Sequence, residues 1–377
     1  METIRKPVFK IVYDGKDITA DVTDHVLSIN YTDNDEKEAD EIEISFEDVD
    51  ALWRNSWYPE KGSTLKVAIG YDDGITVDCG TFDIDEITLS GPPDVVSIRG
   101  IAAGFKKSMR TKKSKAFENQ TLRQIAQAIA RENSLTLVGT IADIKFTRVT
   151  QDREKDLSFL ARIASEYGYL FSVRSNQLIF TSQVEIEGGQ PVLNIDRAEL
   201  RSYSIKDKTS ETYKDAQVKY HNPGDGKVKE AKVDTVSNAD GVTYKQIASE
   251  DTLEVRTKAE TPAQADAKAA AALHRKNSRQ REGTLAMEGN PLLVAGNNFT
   301  LTGLGELAGK YYIKKSSHTI TKGSGYDTSV EIKQINAATQ SQKSKAPTVK
   351  SGKTPKYEVQ NLTNKDEVNY KQITPAQ

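Results

Sequence analysis

GSTLKVAIG (62–70), GTFDIDEI (80–87) and GPPDVVSI (91–98) decide how this chain is read, because a similar run stands near its other end: AGNNFTLTG (295–303), GKYYIKKSSHTI (309–320) and GSGYDTSVEI (323–332). Each run alternates apolar and polar residues with period two and is broken by glycine, the pattern of strands with one buried face. In both, a glycine precedes an aromatic residue and then an isoleucine: Gly80, Phe82 and Ile84 in the first, Gly309, Tyr311 and Ile313 in the second. The inward positions are kept, while outward Asp83 and Asp85 are replaced by Tyr312 and Lys314. An internal repeat and a chance likeness between two antiparallel meanders both fit, since such alternation is generic.

The same alternation fills the first hundred residues, with apolar positions at Phe9, Ile11 and Tyr13, at Ile42, Ile44 and Phe46, at Leu65, Val67 and Ile69, and at Val96 and Ile98. Asp14-Gly15, Asp73-Gly74 and the GPPD run at 91–94 supply turn chemistry. Residues 1–104 therefore read as a first antiparallel β-barrel. Helical spacing takes over in TLRQIAQAIAREN (121–133), where Leu122, Ile125, Ala126, Ile129 and Ala130 share a face and Thr121 with Gln124 has capping-box spacing. A second helix is expected over residues 153–167, with Leu157, Leu160, Ala161 and Ala164 on one stripe and Gly168 as its stop. YLFSV and QLIFT then flank Arg174-Ser175-Asn176 as a hairpin, completing an α+β domain over 105–195.

From 196 the β pattern returns, and 196–222 with 283–337 reads as a second, discontinuous barrel. Residues 223–282 form an insertion with β segments and a long Ala-rich helix, which Thr261 caps and Pro262 opens. Residues 338–377 are polar and lysine-rich and read as a C-terminal tail without a core. The fold class is thus mainly β with α+β insertions: two similar antiparallel tube-like β-barrels plus smaller α+β domains.

Composition excludes several functions. In 377 residues, 52 Lys and Arg nearly cancel 54 Asp and Glu, so bulk nucleic-acid affinity is not the main activity. Cys79 is the one cysteine, and His25, His221, His274 and His318 are scattered, so neither disulfide nor zinc spacing is present and no metal is expected. No apolar run approaches the ~20 residues that span a bilayer, and the start METIRKPVFK lacks the apolar core of a signal peptide. A chain without membrane anchor, made in a reducing cytoplasm, is expected. Its 37% hydrophobic against 28% charged residues is lean for one globule and suits surface buried between subunits.

Candidate chemistry is sparse. GLGELAG (303–309) has GxGxxA spacing through Gly303, Gly305 and Ala308 but runs into the strand-like KYYIKK, so it reads as a hairpin turn rather than a dinucleotide loop. DNDEKEADE (33–41) lacks the glycine and glutamate positions of a calcium loop and reads as a solvated loop. Asp83, Asp85 and Glu86 are a conceivable acid/base set, yet alternation puts the two aspartates on the outward face of a strand. No catalytic, cofactor-binding or metal residues are assigned. The most unusual run is KKSMRTKKSK (106–115), whose Lys106, Lys107, Arg110, Lys112, Lys113 and Lys115 are candidates for electrostatic contact with DNA phosphates or an acidic neighbour; a solvated connector is the plainer reading.

The segments ADEIEISFEDVD (39–50), GTFDIDEITLSGPPDVVSIRG (80–100), TLRQIAQAIARENSL (121–135) and QDREKDLSFLARIASEYGYLFSVRSNQLIF (151–180), with AGNNFTLTG, GKYYI and HTITKGSGYDTSVEI (318–332) near the C-terminus, resemble the phage late control D proteins, baseplate hubs of contractile-tailed phages and related contractile injection systems. The resemblance runs from residue 7 to 336. It implies a structural protein rather than an enzyme: a homotrimeric hub in the virion tail baseplate or a phage-tail-like particle. Its pseudo-sixfold ring would join the tail tube protein to a trimeric spike protein, contact other baseplate wedge proteins, and leave a channel for DNA or cargo. No cofactor is implied. A tail-tip cell-wall hydrolase or a carbohydrate-binding tail module is the alternative function.

Overall fold

The computed structural model describes residues 5–35, 39–60, 62–102, 111–174, 177–208, 210–222, 226–233 and 251–335. Lys106, Lys107 and Arg110 of the basic run, the turn at 175–176, and the C-terminal tail lie outside them. The chain is mainly β, and most of its pairings are antiparallel.

Ile11, Ile29, Ile42, Ile44, Val67, Ile69 and Phe82 occupy alternate strand positions and are buried together in one core. They come from β1 (Pro7–Tyr13), β3 (Val26–Asn34), β4 (Glu41–Glu47), β5 (Thr64–Tyr71), β6 (Thr76–Ser90) and β7 (Val95–Ala102), which run side by side in the order β3-β4-β7-β6-β5-β1. A short β2 (Lys16–Asp17) hairpins onto β1 through Asp14 and Gly15, whose positive φ values of 45° and 82° are what the Asp-Gly pair tolerates. The short helix α1 (Thr19–Val22) adds Val22 to this core.

The middle of the chain builds its own core. Strands β8 (Lys112–Thr121) and β10 (Lys145–Lys155) pair, and β11 (Tyr169–Arg174) and β12 (Gln177–Ser182) pair with β9 (Thr136–Val138) in a three-stranded sheet. Helices α2 (Leu122–Glu132) and α3 (Asp156–Glu166) pack on these sheets, and α4 (Gln183–Gly188) follows β12. The expected face of α2 is the buried one, and its capping box is present: the Thr121 side chain accepts from the Gln124 N–H while the Gln124 side chain accepts from the Thr121 N–H. Replacing Thr121 by alanine should cost about 1 kcal/mol of stability, read as a lower denaturant midpoint. Helix α3 begins at Asp156 rather than 153, because β10 continues to Lys155 through a bulge between Gln151 and Glu154. Its buried stripe centres on Phe159, Leu160, Ile163 and Ala164, with Phe159 stacked on Phe117 at 5.5 Å, so Leu157 and Ala161 lie to one side of it.

The β pattern resumes with β13 (Asn194–Asp196) and β14 (Leu200–Asp207). Strand β15 (Asp215–Asn222), which the sequence places in the second barrel, pairs instead with β16 (Lys227–Val233) and β17 (Thr252–Val255). The reason is packing: Ala216, Val218 and Tyr220 face Ala265, Ala269 and Leu273 of α5 (Pro262–Asn277), whose small side chains let the helix lie close to the sheet. Thr261 caps this helix, with Pro262 in its first turn. Strands β18 (Arg281–Glu288), β19 (Asn298–Thr302), β20 (Gly309–Thr321) and β21 (Gly325–Gln334) then bury Leu285, Phe299, Tyr311, Ile313, Val330 and Ile332 in a further core. The GLGELAG segment is the β19–β20 connection with a 3₁₀ turn at Gly305–Leu307, hence a hairpin turn and not a loop that opens an α-helix.

Two six-stranded units share one strand order. The second unit runs β14-β18-β21-β20-β19-β13, and numbering each set in chain order gives 2-3-6-5-4-1 in both. Registers agree residue for residue: Phe82 opposes Ala102 as Tyr311 opposes Gln334, and Ile44 opposes Ile98 as Leu285 opposes Val330. Even the irregularities coincide. A register shift falls between Ile84 and Glu86 and again between Ile313 and Lys315; another falls between Val26 and Ser28 and again between Leu200 and Ser202. Bulges re-aim a strand at a set point, so their coincidence marks a repeated design rather than two generic meanders. The units differ in their first strand, since β1 runs antiparallel to β5 whereas β13 runs parallel to β19. In the single chain the strands follow an open path and close no barrel among the described residues: β3 pairs with β20, so both units lie in one 13-stranded sheet.

Candidate assembly surface

Of the basic run, the described lysines do not form one patch. Lys112, Lys113 and Lys115 lie on β8 rather than on a solvated connector, and two of them are committed to acids of their own domain. Lys113 meets the buried Asp156 carboxylate at 2.5 Å, and Gln151 (2.9 Å) and Asn133 (3.3 Å) donate to the same group. Lys115 pairs with Glu132 and lies over the Phe117 ring at 5.0 Å. Lys112 is exposed, opposite Lys155 in the ladder. Alternation on β8 explains this: of the three, only Lys113 is turned partly inward, and α2 and α3 supply its counter-charges.

The junction between the two β units is built from residues that sequence reading left unassigned. Ser28–Asn34 of β3 pair with Lys315–Thr321 of β20, with Tyr31 opposite His318 and Ile29 opposite Ile320. Tyr31 and His318 stack at 5.9 Å. His318 Nε2 donates to the Leu293 carbonyl at 3.1 Å, so Nδ1 is the acceptor of the Tyr326 hydroxyl at 2.7 Å. Burial holds the imidazole down at about 4, against a hydrogen bond to the Leu293 backbone that acts the other way. Asp33, the first residue of the acidic run, is buried and accepts from the Ala295 N–H at 2.8 Å; residues 36–38 of that run lie outside the described residues. Tyr71 donates to Glu288 at 3.3 Å and packs on Tyr326 at 5.2 Å; burial and Glu288 together push its hydroxyl up to about 12.

A second junction ties the α+β domain, the inserted helix and the second unit. Glu187 of α4 meets His274 of α5 at 2.9 Å and Lys333 of β21 at 2.9 Å, and all three are buried. Although burial opposes ionisation, the Lys333 and His274 charges hold the Glu187 carboxyl down at about 2. Lys310 donates to the Glu187 carbonyl at 2.7 Å, and the Asn298 side-chain amide donates to the Ile186 carbonyl at 2.6 Å. No local pattern announces this cluster, because its members come from five elements, α4, α5, β19, β20 and β21.

Asp83 and Asp85 lie outside the core on β6, as the alternation requires, and Glu86 is exposed beside Arg99 at 3.9 Å. Among the described residues no group of three or more His, Cys, Asp or Glu is placed to hold a metal ion, and no helix is long and apolar enough to cross a membrane. Cys79 is buried, and burial pushes its thiol well up. What the described surface offers is unpaired strand edges.

The model of a family described as phage tail baseplate hub (GPD) matches residues 94–324, more than half of the 377-residue chain. The probable baseplate hub protein of Escherichia phage P2 is 34% identical over 176 residues, 46% of this chain and 45% of that protein. Its counterpart in Escherichia phage 186 is 27% identical over 214 residues, 55% of this chain and 54% of that protein. The chain spans about half the length of the curated relatives it matches. Among solved structures, the 43 kDa tail protein of prophage MuSo2 from Shewanella oneidensis has a TM-score of 0.64 at 15% identity, covering 87% of this chain and 98% of that one. A tail protein from Neisseria meningitidis MC58 has a TM-score of 0.64 at 12% identity, covering 87% and 97%. An E. coli component of the type VI secretion system has a TM-score of 0.52 at 14% identity, covering 85% and 76%. At these identities the structural likeness speaks to the fold alone.

Proposed function

Because the chain belongs to the phage tail baseplate hub (GPD) family, we propose that it is the structural hub of a contractile tail, located in the baseplate and working by assembly rather than turnover. The observation that carries this reading is the repeated six-strand order with coincident bulges. Three copies of a chain with two near-equivalent units present six similar modules, which seats a sixfold tail tube on a threefold spike. In this reading the two units are the tube-like barrels of the ring, their cores closed by neighbouring modules. The tail tube protein, the spike and the wedge proteins of the baseplate are the partners. DNA or cargo passes through the centre, and Lys106, Lys107, Arg110 and Lys112 are the members of the basic run proposed to contact an acidic neighbour or passing phosphates. The domain boundaries expected from the sequence are kept as part of the proposal, except that β15 goes with the insertion.

Light scattering on a size-exclusion column tests the trimer, and negative-stain images test the ring. The purified chain should run at three times its monomer mass and show threefold rings. A stable monomer at high micromolar concentration without any partner overturns the reading, and clearing of a cell-wall substrate in gel would restore the hydrolase alternative.

A further inference from the structure

The strand correspondence between the two units leaves two edges unmatched. Within the chain, the outer edge of β3 is taken by the C-terminal half of β20. The counterpart of β3 is β14, and the counterpart of that half of β20 is Glu86–Ser90 of β6. Among the described residues no strand lies along the outer edge of β14 or along this stretch of β6. Both edges also carry apolar side chains whose counterparts at the junction are buried: Leu89 is 46% exposed where His318 is 0%, and Tyr203 is 43% exposed where Ile29 is 0%. Exposed, unpaired edges of this kind are aggregation hazards unless a partner covers them.

We propose that β14 of one copy pairs antiparallel with Glu86–Ser90 of the next copy, in the register in which β3 pairs with β20 inside the chain. Transferring that register places Glu86 opposite Lys208, Ile87 opposite Asp207, Thr88 opposite Lys206, Leu89 opposite Ile205 and Ser90 opposite Ser204. Three of the five pairs are complementary: an acid meets a lysine, two aliphatic side chains face each other, and two small hydroxyl residues meet; at the other two a threonine meets a lysine and Ile87 meets Asp207, whose carboxylate Arg281 already holds at 2.7 Å. The occupant is a second copy because the internal junction already solves the same geometric problem with the counterpart strands. The two edges are different surfaces, so the contact is head-to-tail and must close into a ring or run on as a filament. Closure at three copies rests on the trimeric hub reading; the strand pairing itself rests on the ladders.

The experiment is disulfide trapping in the full chain. A variant carrying both Ser90→Cys and Ser204→Cys should give covalent dimer and trimer on a non-reducing gel, with nothing larger, because the ring is closed. Combining Ser90→Cys with Lys206→Cys moves one partner two positions along the strand, where Cα atoms stand about 7–8 Å apart and cannot be bridged without backbone movement. Its cross-linking should fall at least about tenfold on these distances. Buried Cys79 stays in place and should not contribute. Leu89→Lys should raise the concentration for half-assembly about tenfold or more, equivalent to 1.4 kcal/mol or more, without moving the unfolding midpoint of the dissociated chain. A chain that is trimeric by light scattering but cross-links equally in and out of register, or not at all, overturns the pairing and leaves the hub reading intact. A chain that stays monomeric and uncross-linked overturns both.

Discussion

Replacing Glu187 by alanine should lower stability by about 3–5 kcal/mol, the usual cost of breaking a buried ion pair by removing one partner. The loss is large because a buried cation is left behind: Lys333 reaches Glu187 at 2.9 Å, and the buried His274 ring loses its partner at the same distance. Glu187, His274 and Lys333 also belong to three separate elements, α4, α5 and β21, so the variant should loosen a joint between domains rather than one core. Urea unfolding at fixed protein concentration reads the effect, with concentration held constant because assembly itself shifts apparent stability. Replacing Glu187 by leucine together with Lys333 by methionine should recover part of the loss, since it removes the uncompensated Lys333 charge instead of stranding it. A Glu187→Ala change costing less than about 1 kcal/mol would mean that water reaches the cluster and that the joint is held by the backbone alone.

The strands were legible because their faces differ. Phe82, Ile84, Ile42 and Ile44 alternate with polar residues on surfaces that meet water, and that contrast is written in consecutive positions. The same holds for α2, where the capping box and the apolar face can be read from a dozen residues. Reading failed wherever the deciding partner was distant. Strand β15 alternates as well as any strand of the second unit, yet what claims it is the alanine face of α5 some fifty residues later. Helix α3 starts late because β8, far upstream, holds its preceding residues in a ladder. The repeat was visible in Gly80, Phe82 and Ile84 against Gly309, Tyr311 and Ile313, but only the ladders separate repetition from coincidence. The Glu187 cluster had no signal at all: a glutamate, a histidine and a lysine become one site only when three elements bring them within hydrogen-bond reach. Closeness in sequence is no better a guide on β8, where the pleat and the acids of α2 and α3 give Lys113 and Lys115 separate partners.

Lowering the pH from 6.5 towards 4 should destabilise the protein through His318 before any carboxylate contribution is felt in full. The imidazole is enclosed by the Tyr31 ring, the Leu293 carbonyl, Ser316, Thr328 and the Tyr326 hydroxyl, none of which carries a charge that would favour protonation. Its folded value of about 4 lies below the 6.5 of a free imidazole. Between those values the unfolded chain binds a proton that the folded chain refuses, so stability is fully present above 6.5 and declines as pH falls to about 4. At about 1.4 kcal/mol per unit, the loss reaches roughly 3 kcal/mol. Glu187 acts in the next window, because its carboxyl is held at about 2 against a reference of 4.5 and its contribution is lost as pH falls from 4.5 towards 2. Denaturant midpoints at pH 7.5, 6.0, 5.0 and 4.5 measure the first window. His318→Gln removes the titrating group, so the variant should be less stable at pH 7.5 yet lose less on acidification, and the gap between the two proteins should narrow as pH falls. Parallel pH profiles for the two would show that the imidazole is solvated in the folded state and that the β3–β20 junction is looser than its hydrogen bonds imply.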